Sequence, residues 1–306
     1  MQHITFEHHH AHHYKIQTES KKTLWISLVL TLLFALIELI GGLLSGSLAL
    51  ISDSFHMFSD ALALVLSMIA IYYVAKKSDK RFTYGYARLE IIAAFLNGLA
   101  LIIIALGILY EGIIRLVNPI AIDFNLMMTV AIIGLVINII LTFILMRSLK
   151  AENNLNIKSA LWHFIGDLLN SVGVIIAAIL IKLTGISEID ALVSLIVGVV
   201  IFLGGYKICK AAFYILMEAV PKGLKTDEVY KTILSIEGVS DIHEFHLWSI
   251  SDDLYSLSFH VILTRYDSFN DYKIVQNLTN ILKEKHGINH VTIQIENPKI
   301  NNHFEV

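Results

Sequence analysis

"SDSFHMFSDALAL", residues 52–64, sets a histidine and a carboxylate four positions apart inside sequence that otherwise looks lipid-facing. A second stretch, "SALWHFIGDLLNS" at 159–171, repeats that spacing with His163 and Asp167. Either these runs do not cross a membrane, or His56, Asp60, His163 and Asp167 share a task. Ionisable groups in hydrocarbon are costly enough that a task is the default explanation.

Composition decides the first alternative. The 306 residues are 56% hydrophobic and only 16% charged, and the mean hydropathy is +0.67. A soluble chain is roughly a quarter charged, so a polytopic membrane protein is expected. Cys209 is the sole cysteine, which excludes an intramolecular disulfide and a cysteine-rich metal cluster. The net charge of −3 argues against a nucleic-acid partner. No charged n-region, apolar h-region and cleavage site precede the first span, so no removable signal peptide is expected.

Six apolar runs follow, at 23–44, 48–75, 89–117, 125–146, 157–183 and 189–217. Each reaches the ~20 residues that cross a hydrocarbon core about 30 Å thick. Between them lie "LSGS" (44–47), the charged "KKSDKRFTYGYAR" (76–88), "VNPIAIDFN" (117–125), "KAENNLNIK" (150–158) and "TGISEID" (184–190). At this hydropathy only helices satisfy the backbone in lipid, and the alternation of a barrel is absent. One side collects Lys15, Lys21, Lys22, Lys76, Lys77, Lys80, Arg81, Arg88, Arg147, Lys150, Lys158, Lys207, Lys210, Lys222 and Lys225. The other holds Arg115 and Lys182. The positive-inside rule puts both termini in the cytoplasm of a multi-pass cell-membrane protein.

After Pro221 the composition becomes that of a soluble module. "TDEVYKTILSIEG" (226–238) has the pattern of an amphipathic helix with Thr226 as N-cap. "VSDIHEFHLWSI" and "LYSLSFHVILT" flank Ser251–Asp253 as a hairpin. A helix closed by Gly287 and the strand "HVTIQIE" (290–296) complete the order α-β-β-α-β, a small two-layer α+β domain. The expected division is a histidine-rich tail at 1–20, a six-helix transport domain at 21–217 and a cytoplasmic domain at 218–306.

Spacing of four puts each His–Asp pair on one helix face. Two such faces meeting supply two imidazoles and two carboxylates, a full tetrahedral set for Zn²⁺. Between helices that rock, such a site suits binding accessible from alternate sides. Protonated imidazole cannot bind metal, so protons compete for the site and proton-coupled exchange follows naturally.

The motifs together resemble the cation diffusion facilitator family of six-span metal/proton antiporters. They are "SDSFHMFSDALAL", "YGYARLEIIAAFLNG" (84–98), "ALWHFIGDLLNSVGVI" (160–175), "LMEAVP" (216–221), "HEFHLWSI" and "HVTIQIE". The chain is most similar to the bacterial zinc/cadmium/cobalt-resistance branch and to vesicular zinc transporters, over residues 20–298. The resemblance implies a metal site at His56, Asp60, His163 and Asp167, a ferredoxin-like cytoplasmic domain and a homodimer. It also implies zinc as substrate and regulatory ligand, with Cd²⁺ or Co²⁺ as further cargo and metal resistance as the setting. In the cytoplasmic domain the positions matching the family's zinc ligands are His243, His260 and Glu296. Gln294 stands where some relatives have a histidine, and a solvated sheet face is the alternative reading there. His246 and His290 are weaker ligand candidates. The loop "KKSDKRFTYGY" has Asp79 and no histidine, so no loop zinc site is expected.

Residues 3–15 hold His3, His8, His9, His10, His12 and His13, either a metal-binding tail or an unstructured extension. Glu38, Asn97, Asn138 and Asn170 either line the transport cavity or hydrogen-bond between helices. Glu111 and Asp190, near span ends, are expected to face water. By resemblance Arg88 and Glu218 form a charge interlock. The expected function is zinc efflux from the cytoplasm by proton antiport, without enzymatic activity. A membrane-anchored metal sensor would not need helix-embedded ligands. An intramembrane zinc hydrolase would want HExxH and an open coordination position.

Overall fold

The computed structural model describes residues 18–74, 78–151, 155–252, 254–264 and 268–296. The histidines of the N-terminal tract lie outside them. The described residues open with α1 (Thr18–Ser45), α2 (Leu48–Val74), α3 (Arg88–Val117), α4 (Phe124–Ala151), α5 (Leu155–Thr184) and α6 (Glu188–Leu216). These bounds track the apolar runs because turn chemistry punctuates the chain where hydropathy falls. Gly46, at φ 76°, takes the left-handed conformation that reverses the chain between α1 and α2. Asp123 caps α4, its carboxylate accepting from the Asn125 and Leu126 N–H groups.

Four described stretches are long and apolar enough to cross a membrane: Leu28–Ser45, Arg88–Val117, Gly166–Thr184 and Glu188–Leu216. The apolar part of α4, Phe124–Ile140, is shorter. In α2, Ser52, Asp53, Ser54, His56, Ser59 and Asp60 interrupt the apolar sequence. Large apolar side chains such as Ile103, Ile196, Val200 and Leu203 stand exposed. Water would penalise that surface, whereas hydrocarbon accepts it.

The chain forms two compact units, Met1–Leu64 with Ala100–Gly204 and Val65–Leu99 with Gly205–Val306. In the first, α4 packs on α5 and α1 on α4. Its main core joins Ala49 and Leu50 of α2, Met127, Val130 and Ala131 of α4, and Val174, Ala177 and Ala178 of α5. The alanines let helix axes approach closely, which is how helices associate where lipid removes the hydrophobic drive. Gly134 of α4 serves the same end: a methyl group there would come within 2.5 Å of Phe34 Cζ and 3.0 Å of Glu38 Oε1 on α1.

Asp190 departs from expectation. It is 1% exposed and caps the start of α2 from α6. It accepts from Ser47 Oγ at 2.6 Å, Leu48 N–H at 2.7 Å and Ala49 N–H at 3.3 Å. The two N–H groups are orphan donors of a helix N-terminus, where a carboxylate is favoured. Glu111 does not simply face water either, because it accepts from Arg115 Nε at 2.9 Å, and Arg115 also donates to the Gly46 carbonyl.

In the second unit a three-stranded sheet, order β1-β2-β3, is built from β1 (Val239–Ser251), β2 (Leu254–Leu263) and β3 (His290–Glu296). β1 and β2 are antiparallel, β2 and β3 parallel. The helices α7 (Thr226–Leu234) and α8 (Ser268–His286) complete the order α-β-β-α-β. Leu257, Phe259, Val261 and Leu263 alternate into a core with Val229, Ile233, Leu278 and Leu282, leaving His260 on the opposite strand face. Thr226 is not the cap of α7. Lys225 occupies that position in extended conformation without a side-chain cap bond, and Asp227 and Glu228 in the first turn supply the favourable charge instead.

Candidate metal centre

The period of an α-helix places His56 and Asp60 one turn apart on the same face of α2. His56 Nε2 lies 3.7 Å from Asp60 Oδ2 and 3.8 Å from Asp167 Oδ1 of α5. One ligand atom from each of the three residues falls within 4.8 Å of the others. Ligand atoms around a tetrahedral Zn²⁺ with bonds of about 2.0–2.1 Å sit about 3.4 Å apart, so the three are close to a coordinating arrangement. His163 is on α5, one turn before Asp167; its side chain lies outside the described residues.

His56 and Asp167 line a cavity of about 590 Å³ with Gly166, Asn170 and Gly173 of α5 and Val197 of α6. A methyl group at Gly166 or Gly173 would meet nothing within 4 Å, so the α5 wall is open at both positions. Beyond the candidate ligands the lining is mostly aliphatic, reaching Leu180 on α5 and Val193 on α6.

Around this set lies polar structure that only partly matches the sequence reading. Asn170 lines the cavity and donates to Asp53 Oδ1 on α2. Asn138 of α4 is buried and donates to Ser171 Oγ at 2.9 Å. Glu38 of α1 and Asp53 of α2 are buried, 1% and 2% exposed. Asp53 was not singled out from the sequence. The available signal was its place three residues before His56, on nearly the same helix face.

A second group gathers in the sheet. His243 pairs with His260 across β1 and β2, and Glu296 sits opposite Ile262 at the end of β3. Glu296 Oε2 is 3.1 Å from His243 Nε2, and its Oε1 is 2.8 Å from His260 Nδ1. Gln294 donates to Glu296 Oε1 at 3.1 Å and so orients the carboxylate. His246 turns instead toward Glu244, at 3.4 Å, and Glu244 itself holds φ 49° in the irregular stretch of β1 between His243 and His246. His290 meets the Tyr84 ring edge-on. Neither joins the His243–His260–Glu296 group. The Arg88–Glu218 pair forms at 2.8 Å.

Residues 24–217 match the family model described as the cation efflux transmembrane domain, and residues 221–298 that of the cation efflux protein, cytoplasmic domain. The "Cadmium, cobalt and zinc/H(+)-K(+) antiporter" of Bacillus subtilis is 42% identical over 90% of this chain and 89% of its own. The "Metal cation efflux system protein CzcD" of Cupriavidus metallidurans is 37% identical over 90% and 87%. The "Zinc transporter ZitB" of Escherichia coli is 33% identical over 96% and 93%.

Proposed function

Because the chain belongs to the cation efflux family, we propose that it exports Zn²⁺ in exchange for protons at His56, Asp60, His163 and Asp167. It is a multi-pass membrane protein that moves metal cations outward, and it is not an enzyme. The observation that carries the site assignment is the convergence of His56, Asp60 and Asp167, from two different helices, with ligand atoms within 4.8 Å of one another; His56 and Asp167 also line a cavity. His163 completes a set of two imidazoles and two carboxylates, for which Zn²⁺ is well suited.

The mechanism follows from the ligands. Neutral imidazole accepts the metal and protonated imidazole rejects it. A site facing the cytoplasm near neutral pH therefore loads, and one facing a more acidic exterior unloads as histidine gains its proton. All six long helices act as spans, with both termini cytoplasmic as the lysine and arginine distribution requires. The α-β-β-α-β module, residues 218–306, is a ferredoxin-like regulatory and dimerisation domain. There His243, His260 and Glu296 bind zinc once cytoplasmic metal rises, and the match to the family's cytoplasmic domain supports assembly as a homodimer. Cadmium and cobalt are further cargo, as the names of the relatives support.

The test is zinc flux into proteoliposomes carrying the purified protein. An acidic interior should drive zinc accumulation, and a protonophore should abolish it. A sensor or a hydrolase would give no flux under either condition, and that result would end the transport reading.

A further inference from the structure

Metal transport leaves a second cavity unused, near the end of α6. With 29 residues at 1.5 Å per residue, α6 is about 44 Å long, whereas a hydrocarbon core is about 30 Å thick. The surplus of about 14 Å is about nine residues, which from the end at Leu216 reaches back to Lys207. Lys207 and Lys210 are the first charged residues after Asp190, and they fall where the helix leaves the hydrocarbon. The lysine and arginine distribution makes that boundary the cytoplasmic one.

There a cavity of about 370 Å³ is lined by Phe95 of α3 and by Tyr206, Cys209, Lys210, Phe213 and Tyr214 of α6. Its floor is fixed by close packing. A methyl group at Gly98 of α3 would come within 3.0 Å of the Cys209 backbone nitrogen and of the Gly205 carbonyl oxygen, and Cys209 Sγ donates to the Phe95 carbonyl at 3.4 Å. One turn nearer the start of α3 the glycine gives way to Phe95, and the cavity opens among the rings. Tyr206, Phe213 and Tyr214 are about half exposed, the placement of aromatic rings at a membrane boundary. Lys210 Nζ lies 5.6 Å from the Tyr214 ring centroid, which keeps its ammonium beside the cavity. Lys207, three residues earlier, shares that side of the helix. The sequence has no acid between Asp190 and Glu218, and Glu218 is paired with Arg88.

We propose that this cavity binds an anionic phospholipid of the cytoplasmic leaflet. The lipid phosphate meets Lys207 and Lys210, and an acyl chain lies along Phe95 and Phe213. Two lysines at the headgroup level beside an apolar wall complement such a lipid at both ends. A zwitterionic lipid carries a cation of its own that the lysines repel, and a small soluble anion has no use for the aromatic wall. A second copy docked through the same face would set lysine against lysine. The leaflet rests on the orientation proposed above; the site itself does not depend on metal transport.

The experiment places a photoreactive benzoylphenylalanine at Phe213 of the full-length protein, reconstituted without metal in vesicles of equal phosphatidylglycerol and phosphatidylcholine. Mass spectrometry of the cross-linked protein reads the occupant. Phosphatidylglycerol adducts should dominate, and Lys207→Gln with Lys210→Gln should lower that preference about fivefold for each lysine removed. Removing equal charge from the loop before α3, by Lys80→Gln with Arg81→Gln, should leave it unchanged. Equal adducts of the two lipids, a cross-link only to a second copy, or no adduct would overturn the proposal. So would a preference that survives loss of Lys207 and Lys210, or one that falls equally in the loop variant. Should the Phe213 probe fail to insert, the same probe at the half-exposed Tyr214 decides by the same outcomes. Zinc flux plays no part in the readout, so failure here and failure of the transport reading are distinguishable.

Discussion

In the proposed transport site, His56 is the residue on which metal choice turns. Replacing it with aspartate exchanges an imidazole for a carboxylate that can bind through one or both oxygens, so the site becomes more anionic and its coordination number less fixed. His56→Asp should keep zinc transport and raise the cadmium-to-zinc ratio. Ligand softness alone favours the opposite sign; the geometric argument wins because the larger ion gains most from a looser shell. Parallel zinc and cadmium fluxes at one pH decide this, and an unchanged or lower ratio would show that His56 does not select. Asp190 acts differently. Removing its carboxylate in Asp190→Ala orphans Ser47 Oγ and the Leu48 and Ala49 N–H groups. That change should cost about 3 kcal/mol of stability, read as a lowered thermal transition in detergent, whereas an unchanged transition would contradict the cap. The sequence could place Asp190 near a span end but could not pair it with Ser47, 143 residues away. A contact that distant leaves no local pattern.

Element bounds were legible because hydropathy and turn chemistry are local. The six apolar runs became six helices with ends shifted by a few residues, and the period-two pattern of β2 separated His260 from the core. Which helices touch was not legible. The Asn170–Asp53 and Asn138–Ser171 hydrogen bonds join α5 to α2 and to α4, and no periodicity encodes such pairings between helices. One element-scale consequence concerns pH. His286, at the end of α8, lies 2.9 Å from Thr232 Oγ1 on α7. Burial, and then the neighbouring Lys285, hold its imidazole below the ordinary histidine value. A depressed value in the fold means that the unfolded chain binds more protons. The contribution of His286 is therefore complete above about pH 6.5 and is lost as pH falls below it. Chemical unfolding of the metal-free protein, followed at the cytoplasmic module, should show stability falling as the pH drops below about 6.5. His286→Asn should flatten it, and an equally steep dependence in the variant would contradict the assignment.

At the scale of the whole molecule, charge asymmetry and composition already separated membrane from cytoplasmic parts, and the two family matches meet between residues 217 and 221. The proposed cargo site draws its ligands from α2 and α5, so on this proposal neither the histidine-rich tail nor the sheet cluster belongs to the path. Deleting residues 1–14 should therefore lower the apparent affinity or rate only modestly in a flux assay. Complete loss by a correctly inserted deletion variant would place the tail in the pathway. The most direct measurement compares pH-driven zinc flux in His163→Ala and His260→Ala, each confirmed as inserted and dimeric. The account predicts no flux for His163→Ala, whose tetrahedral shell is broken, and retained flux for His260→Ala, whose change touches only the cytoplasmic group. Wild-type flux from His163→Ala would contradict the transport site.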